Sequence, residues 1–106
     1  DGQSWPADGE ADIFEGLGTA TSNYHSSTGA NNSGTIPGTW SNGYHTYGVH
    51  RQANKNDIYW DGNIVRSYTT NDGGAPQYLL LTNGAGNQTV TGTASQMMVD
   101  WVRVYK

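Results

Sequence analysis

The sequence contains only two glutamates, Glu10 and Glu15, and they flank Asp12 in the run Glu-Ala-Asp-Ile-Phe-Glu. Acidity is concentrated around them, since Asp1 and Asp8 also fall in the first fifteen residues. Carboxyl groups paired in this way suit glycosidic cleavage by double displacement. One carboxylate attacks the anomeric carbon while a carboxylic acid about 5 to 5.5 Å away protonates the departing oxygen. Crowding tunes such a pair, because like charges at close range raise at least one pKa and keep one group protonated while another stays ionised. The same run would also serve as the acidic outer face of an amphipathic strand, so the three acids alone leave both readings open.

For the acids to act together they must share a face. Alternate side chains of a regular strand do so, which pairs Glu10 with Asp12 and sends Ala11 and Ile13 the other way. Glu15 then points to the wrong side. A one-residue bulge around Ile13 or Phe14 corrects the phase and aims all three carboxyl groups into one cleft.

The surrounding elements read as short strands, because no stretch repeats apolar residues at helical spacing and Gly or Asn interrupts nearly every run. Strands are predicted at Ala11 to Glu15, Thr19 to His25, Tyr44 to His50, Asp57 to Trp60, Ile64 to Tyr68, Gln77 to Leu81 and Met97 to Tyr105. Asp61-Gly62-Asn63 lies between two of them, and Asp-Gly supplies the positive-φ residues of a tight hairpin. The last strand is apolar on both faces, with Met98, Val102 and Val104 on one and Val99, Trp101 and Tyr105 on the other, which predicts a central position. Residues 26–43 are rich in Gly, Ser, Asn and Thr, with isolated Ile36 and Trp40, and read as a long polar loop with room for one short strand.

Composition agrees with a single all-β domain spanning 1–106. Hydrophobic residues make up 34% and charged residues only 13%, while Gly reaches 15, so polarity comes mainly from turn-forming residues. Four Trp and seven Tyr give more aromatic anchoring than disordered chains carry. A net charge of −4 offers no attraction for nucleic acid or an anionic membrane, and no apolar run is long enough to span a bilayer. Without cysteine there is no disulfide framework and no thiolate chemistry. The three His lack a compact metal spacing, since His45 and His50 are on opposite faces of any strand that holds both. No metal site is therefore expected from the histidines.

Trp5-Pro6, Gly9 and Glu10-Ala-Asp12-Ile-Phe-Glu15 together resemble the bulged catalytic strand of glycoside hydrolase family 16. Further segments follow in that family's order. His45-Thr-Tyr47-Gly-Val49 and Asp57-Ile-Tyr-Trp60-Asp61-Gly62 resemble its His-Thr-Tyr strand and following hairpin. Tyr78-Leu-Leu-Leu81 resembles the strand before its Asn- and Gly-rich stretch, and Val99 to Tyr105 its closing strand.

The resemblance implies a concanavalin A-like jelly-roll β-sandwich, here reduced or truncated, with the cleft on its concave sheet. It implies Glu10 as nucleophile, Glu15 as acid/base and Asp12 as the residue that hydrogen-bonds the nucleophile. Trp5 would wall the cleft, with core packing as its other reading, and His25 would contact sugar near the acid/base or serve as a structural histidine. No cofactor is required. A structural calcium is implied for many members, and Asp100 matches a residue near it, although calcium needs six to eight oxygens. The implied partner is an extracellular polysaccharide, which makes the protein a secreted one. Family catalytic domains run to more than twice this length. A shortened sandwich would leave sheet edges through which two copies could associate. The bulged motif points to an endo-acting hydrolase of β-1,3-glucan first and of galactans such as agarose or carrageenan next. A carbohydrate-binding or structural sandwich with little turnover is the alternative.

Overall fold

The computed structural model describes residues 4–17, 19–27, 32–84 and 96–106. Residues 28–31 of the polar loop and the Gly-rich stretch 85–95 lie outside the described residues. The chain is all-β. Strands β1 (Glu10–Leu17), β2 (Thr19–His25) and β3 (Asn32–Thr35) form one antiparallel sheet, and β4 (Tyr47–Gln52), β5 (Lys55–Trp60) and β6 (Asn63–Thr69) form another. Each sheet is a meander with its middle strand second in sequence. Among the described residues no helix is long and apolar enough to cross a membrane.

Local chemistry explains the second sheet directly. Trp60 pairs with Asn63, so Asp61 and Gly62 are the two residues of the predicted hairpin turn, and both have positive φ, at 48° and 79°. Asp tolerates that region through its short polar side chain and Gly enters it without a Cβ clash. The polar loop contains the one short strand its composition leaves room for, β3, whose residues pair with Thr21 to Tyr24 of β2.

The sheets share one core. Ala20 and Tyr24 from β2, Ile36 just beyond β3, Ile58 and Trp60 from β5, and Tyr68 from β6 are all buried. Ala11, Phe14, Trp40, Val49 and Val65 pack around them. A cross-sheet polar tie reinforces the packing, with Arg66 Nη1 donating to the Ser22 carbonyl at 3.0 Å. On β4, Arg51 donates to Asp72 at 3.0 Å, to the Ala75 carbonyl at 2.8 Å and to the Gln77 side-chain oxygen. Residues 72–77 are thereby tied to the second sheet by one guanidinium fork.

Three expectations change. The strand predicted from Tyr44 begins at Tyr47, because the preceding residues are drawn to the hairpin tip by hydrogen bonds described below. Neither Gln77 to Leu81 nor Met97 to Tyr105 forms a strand. Far from being central, the closing segment is exposed, with Trp101, Val104 and Tyr105 among its exposed apolar residues. Strand formation depends on a partner that supplies hydrogen bonds and covers an apolar face, and among the described residues neither segment has one.

Ile58 has no solvent-exposed surface and lies between the sheets. Ile58→Ala is expected to destabilise the fold by about 2 to 5 kcal/mol, read as a lower urea midpoint with an unchanged slope.

Candidate functional site

The bulge in β1 falls where the acidic run requires it. Glu10 pairs with His25 and Asp12 with Asn23, but the next pair is Glu15 with Thr21, so β1 advances three residues while β2 advances two. One residue is extra. Its cause is visible in the packing: Ala11 and Phe14 both pack on the core, which a strictly alternating strand cannot arrange. Phe14 meets Tyr47 with ring centroids 4.4 Å apart, Trp40 at 5.8 Å and Trp60 at 6.2 Å. With Phe14 held by that aromatic cluster, Asp12 and Glu15 on either side of the bulge share the opposite face with Glu10.

Antiparallel pairing adds Thr21, Asn23 and His25 to the same face, because directly opposed residues point the same way. His25 Nε2 lies 3.3 Å from Asp12 Oδ2. The Asn23 side-chain amide donates to Glu15 Oε2, and Asn23 Oδ1 accepts from Ser33 Oγ at 2.5 Å. Glu15 is thus oriented by a side-chain relay that runs across all three strands of the sheet. Asn23 and Ser33 are not among the site residues expected from the sequence. The alternation of Thr21, Asn23 and His25 along β2 is the signal that points to the first, whereas Ser33 depends on a pairing that no motif announces.

Trp5 sits on a turn before β1, closed by hydrogen bonds from Asp8 N to Ser4 O at 3.2 Å and from Gly9 N to Pro6 O at 3.0 Å. Gly9 ends the turn at φ 77°, and a Cβ there would stand 3.3 Å from Gln77 Nε2 and 3.4 Å from the Tyr24 hydroxyl. The turn brings the indole back over the acidic face, where Trp5 Nε1 donates to Glu10 Oε2 at 2.6 Å and the ring lies 5.8 Å from that of His25. Trp5 is 67% exposed, so the core-packing reading of this residue gives way to a wall of the acidic face. All five residues singled out in the sequence therefore meet at one place.

Electrostatics acts on Asp12 in particular. The Asp12 side chain is 18% exposed, and its pKa is pushed up to about 6, first by burial and then by the neighbouring charges of Glu10 and Glu15, with His25 opposing both. Asp12 therefore holds a proton at mildly acidic pH.

Glu10, Asp12 and His25 also bring one ligand atom each to within 4.8 Å of one another. Asp100, exposed on the closing segment, is not a member of that group. A cavity of about 460 Å³ adjoins the turn, lined by Gly9, Tyr24, Ser26, Asp72 and others, but Tyr24 belongs to the core-facing side of β2.

A second His and Asp pair proves architectural. His45 Nδ1 lies 2.8 Å from Asp61 Oδ2, and His45 Nε2 lies 2.8 Å from Asn42 Oδ1. Asp61 Oδ1 accepts from Thr46 N at 2.9 Å, and that backbone bond, followed by the one from His45, lowers the Asp61 pKa. Both ring nitrogens face hydrogen-bonding neighbours, so His45 fastens the hairpin tip to the residues before β4 and presents no free nitrogen to a substrate. No family model, curated protein or solved structure matches this chain.

The raised pKa of Asp12 has a definite sign in stability. Between its ordinary value of 3.8 and about 6 the folded chain holds the proton more tightly than the unfolded one, so this contribution to stability is complete at lower pH and is lost as pH rises through about 6. Asp12→Asn is expected to gain stability over the parent chain above about pH 6 and to lose that advantage near pH 4, read by thermal melts across pH. A carboxyl carbon titration of Asp12 centred near the ordinary carboxylate value would overturn the assignment.

Proposed function

We propose that this chain is a retaining endo-glycoside hydrolase of the family 16 type, secreted to act on a β-linked polysaccharide, with β-1,3-glucan as the first candidate. In this reading its two sheets belong to a reduced concanavalin A-like jelly roll. The observation that carries the proposal is the bulge between Asp12 and Glu15, which turns three carboxyl groups to one face beside an exposed indole.

Each residue then has a task. Glu10 attacks the anomeric carbon, forming a carbon–oxygen bond as the glycosidic bond breaks, and Glu15 delivers its proton to the leaving oxygen. Water then gives a proton to Glu15 and attacks the same carbon, which releases Glu10. Trp5 holds Glu10 through its N–H and offers a flat apolar ring to the C–H face of a sugar. Asp12, with its elevated pKa, keeps a proton next to Glu10 and moderates the charge of the pair. Asn23 orients Glu15, and His25 borders the acid group at the end of β2. The route uses carboxyl groups and water and requires no cofactor.

Reducing-sugar release from laminarin, lichenan, agarose, carrageenan and β-galactan tests the proposal. Turnover on a β-1,3-glucan with retention of anomeric configuration is expected, and Glu10→Gln should lower kcat by about a thousandfold or more while leaving the circular-dichroism spectrum unchanged. Folded wild-type chain that binds these glycans without cleaving them would replace the hydrolase by a carbohydrate-binding sandwich. Trp5→Phe keeps an aromatic ring but deletes the N–H to Glu10, and should lower kcat by about tenfold with a smaller change in KM.

A further inference from the structure

We propose that Glu10, Asp12 and His25 form a binding site for one divalent transition-metal ion of the zinc class, and that the bound ion blocks the acidic cleft. The binding stands on geometry alone. The blocking rests on the hydrolase reading above.

The three ligands lie on two paired strands. Glu10 is directly opposite His25, and Asp12 is two residues along β1 on the same face. Their donor atoms already lie within 4.8 Å of one another, so side-chain rotation suffices to close them on an ion. The 3.3 Å between His25 Nε2 and Asp12 Oδ2 is near the edge of a tetrahedral site whose bonds are about 2.0 to 2.1 Å long. An imidazole among the donors selects zinc and its neighbours over calcium and magnesium, which favour all-oxygen sites. Trp5 supplies what ligated carboxylates commonly have, an outer hydrogen bond that fixes one Glu10 oxygen, and its indole walls the site beside the His25 ring.

An ion held there would occupy Glu10 and Asp12 together. The carboxylate that attacks the anomeric carbon would then be tied to the metal, and the ion would stand where the sugar must approach. Zinc should act as a reversible inhibitor.

Titration calorimetry of the whole chain with zinc chloride near neutral pH tests the site directly. One ion per chain is expected, with His25→Ala and Asp12→Asn each weakening binding by about tenfold or more, and Glu15→Gln changing it by less than about threefold. In wild-type chain the ring protons of His25 should shift on zinc addition, while those of His45 and His50 stay in place, which keeps the test independent of how the variants fold. Calcium in the same experiment should leave the His25 ring protons in place. Absence of saturable zinc binding, or binding that leaves the His25 ring unmoved, would overturn the site. Zinc bound through His25 to a chain that cleaves no glycan would leave the metal site standing and remove the hydrolase reading. Cleavage unaffected by zinc that occupies the site would overturn the blocking.

Discussion

The placement of Phe14 governs the rest of the site. Its ring is drawn into an aromatic cluster with Trp40, Tyr47 and Trp60, while Ala11, three residues earlier, faces the same core. Strand alternation cannot bury residues three apart on one side, so the backbone takes up an extra residue between Asp12 and Glu15. Apolar burial and carboxylate solvation are both satisfied by this one irregularity. The chemistry of the acidic face is thus set partly from the other side of the sheet, by a residue that never touches it.

Once the phase is corrected, β2 does the positioning. Thr21, Asn23 and His25 alternate on the acidic face while Ala20 and Tyr24 alternate into the core, so a single strand serves both the packing and the polar network. Asn23 is buried and donates to Glu15 while accepting from Ser33, which leaves its amide little freedom. That linkage passes orientation from β3 to the acid farthest along β1. Glu10 is held from another direction, by an indole delivered on a tight turn. Two carboxyl groups steered by independent parts of the fold can be held in different surroundings.

The second sheet contributes rigidity. Its hairpin tip is fastened by Asp61 to His45 and Thr46, and Arg51 gathers residues 72–77 against β4. Beyond those ties lie Tyr78 to Leu81 and Met97 to Tyr105, apolar and exposed. Among the described residues the compact two-sheet core contrasts with these uncovered segments.

The sequence by itself determined the parts whose causes are local. The Asp-Gly hairpin was legible because only certain residues tolerate positive φ, the strand Thr19–His25 because its pattern is short and bounded by turns, and the need for a bulge because Glu10, Asp12 and Glu15 cannot share a face without one. Tertiary structure decided which of the two candidate residues faces the core at the bulge, how Trp5 folds back to Glu10, and that Asn23, Ser33 and Arg51 are central to the network. It also decided against the two late strands, whose apolar pattern alone cannot supply a pairing edge. The physical reason is the same in each case. Turn preference and side-chain alternation act through neighbours in the chain, whereas burial, pairing and carboxylate crowding depend on groups that only folding brings together.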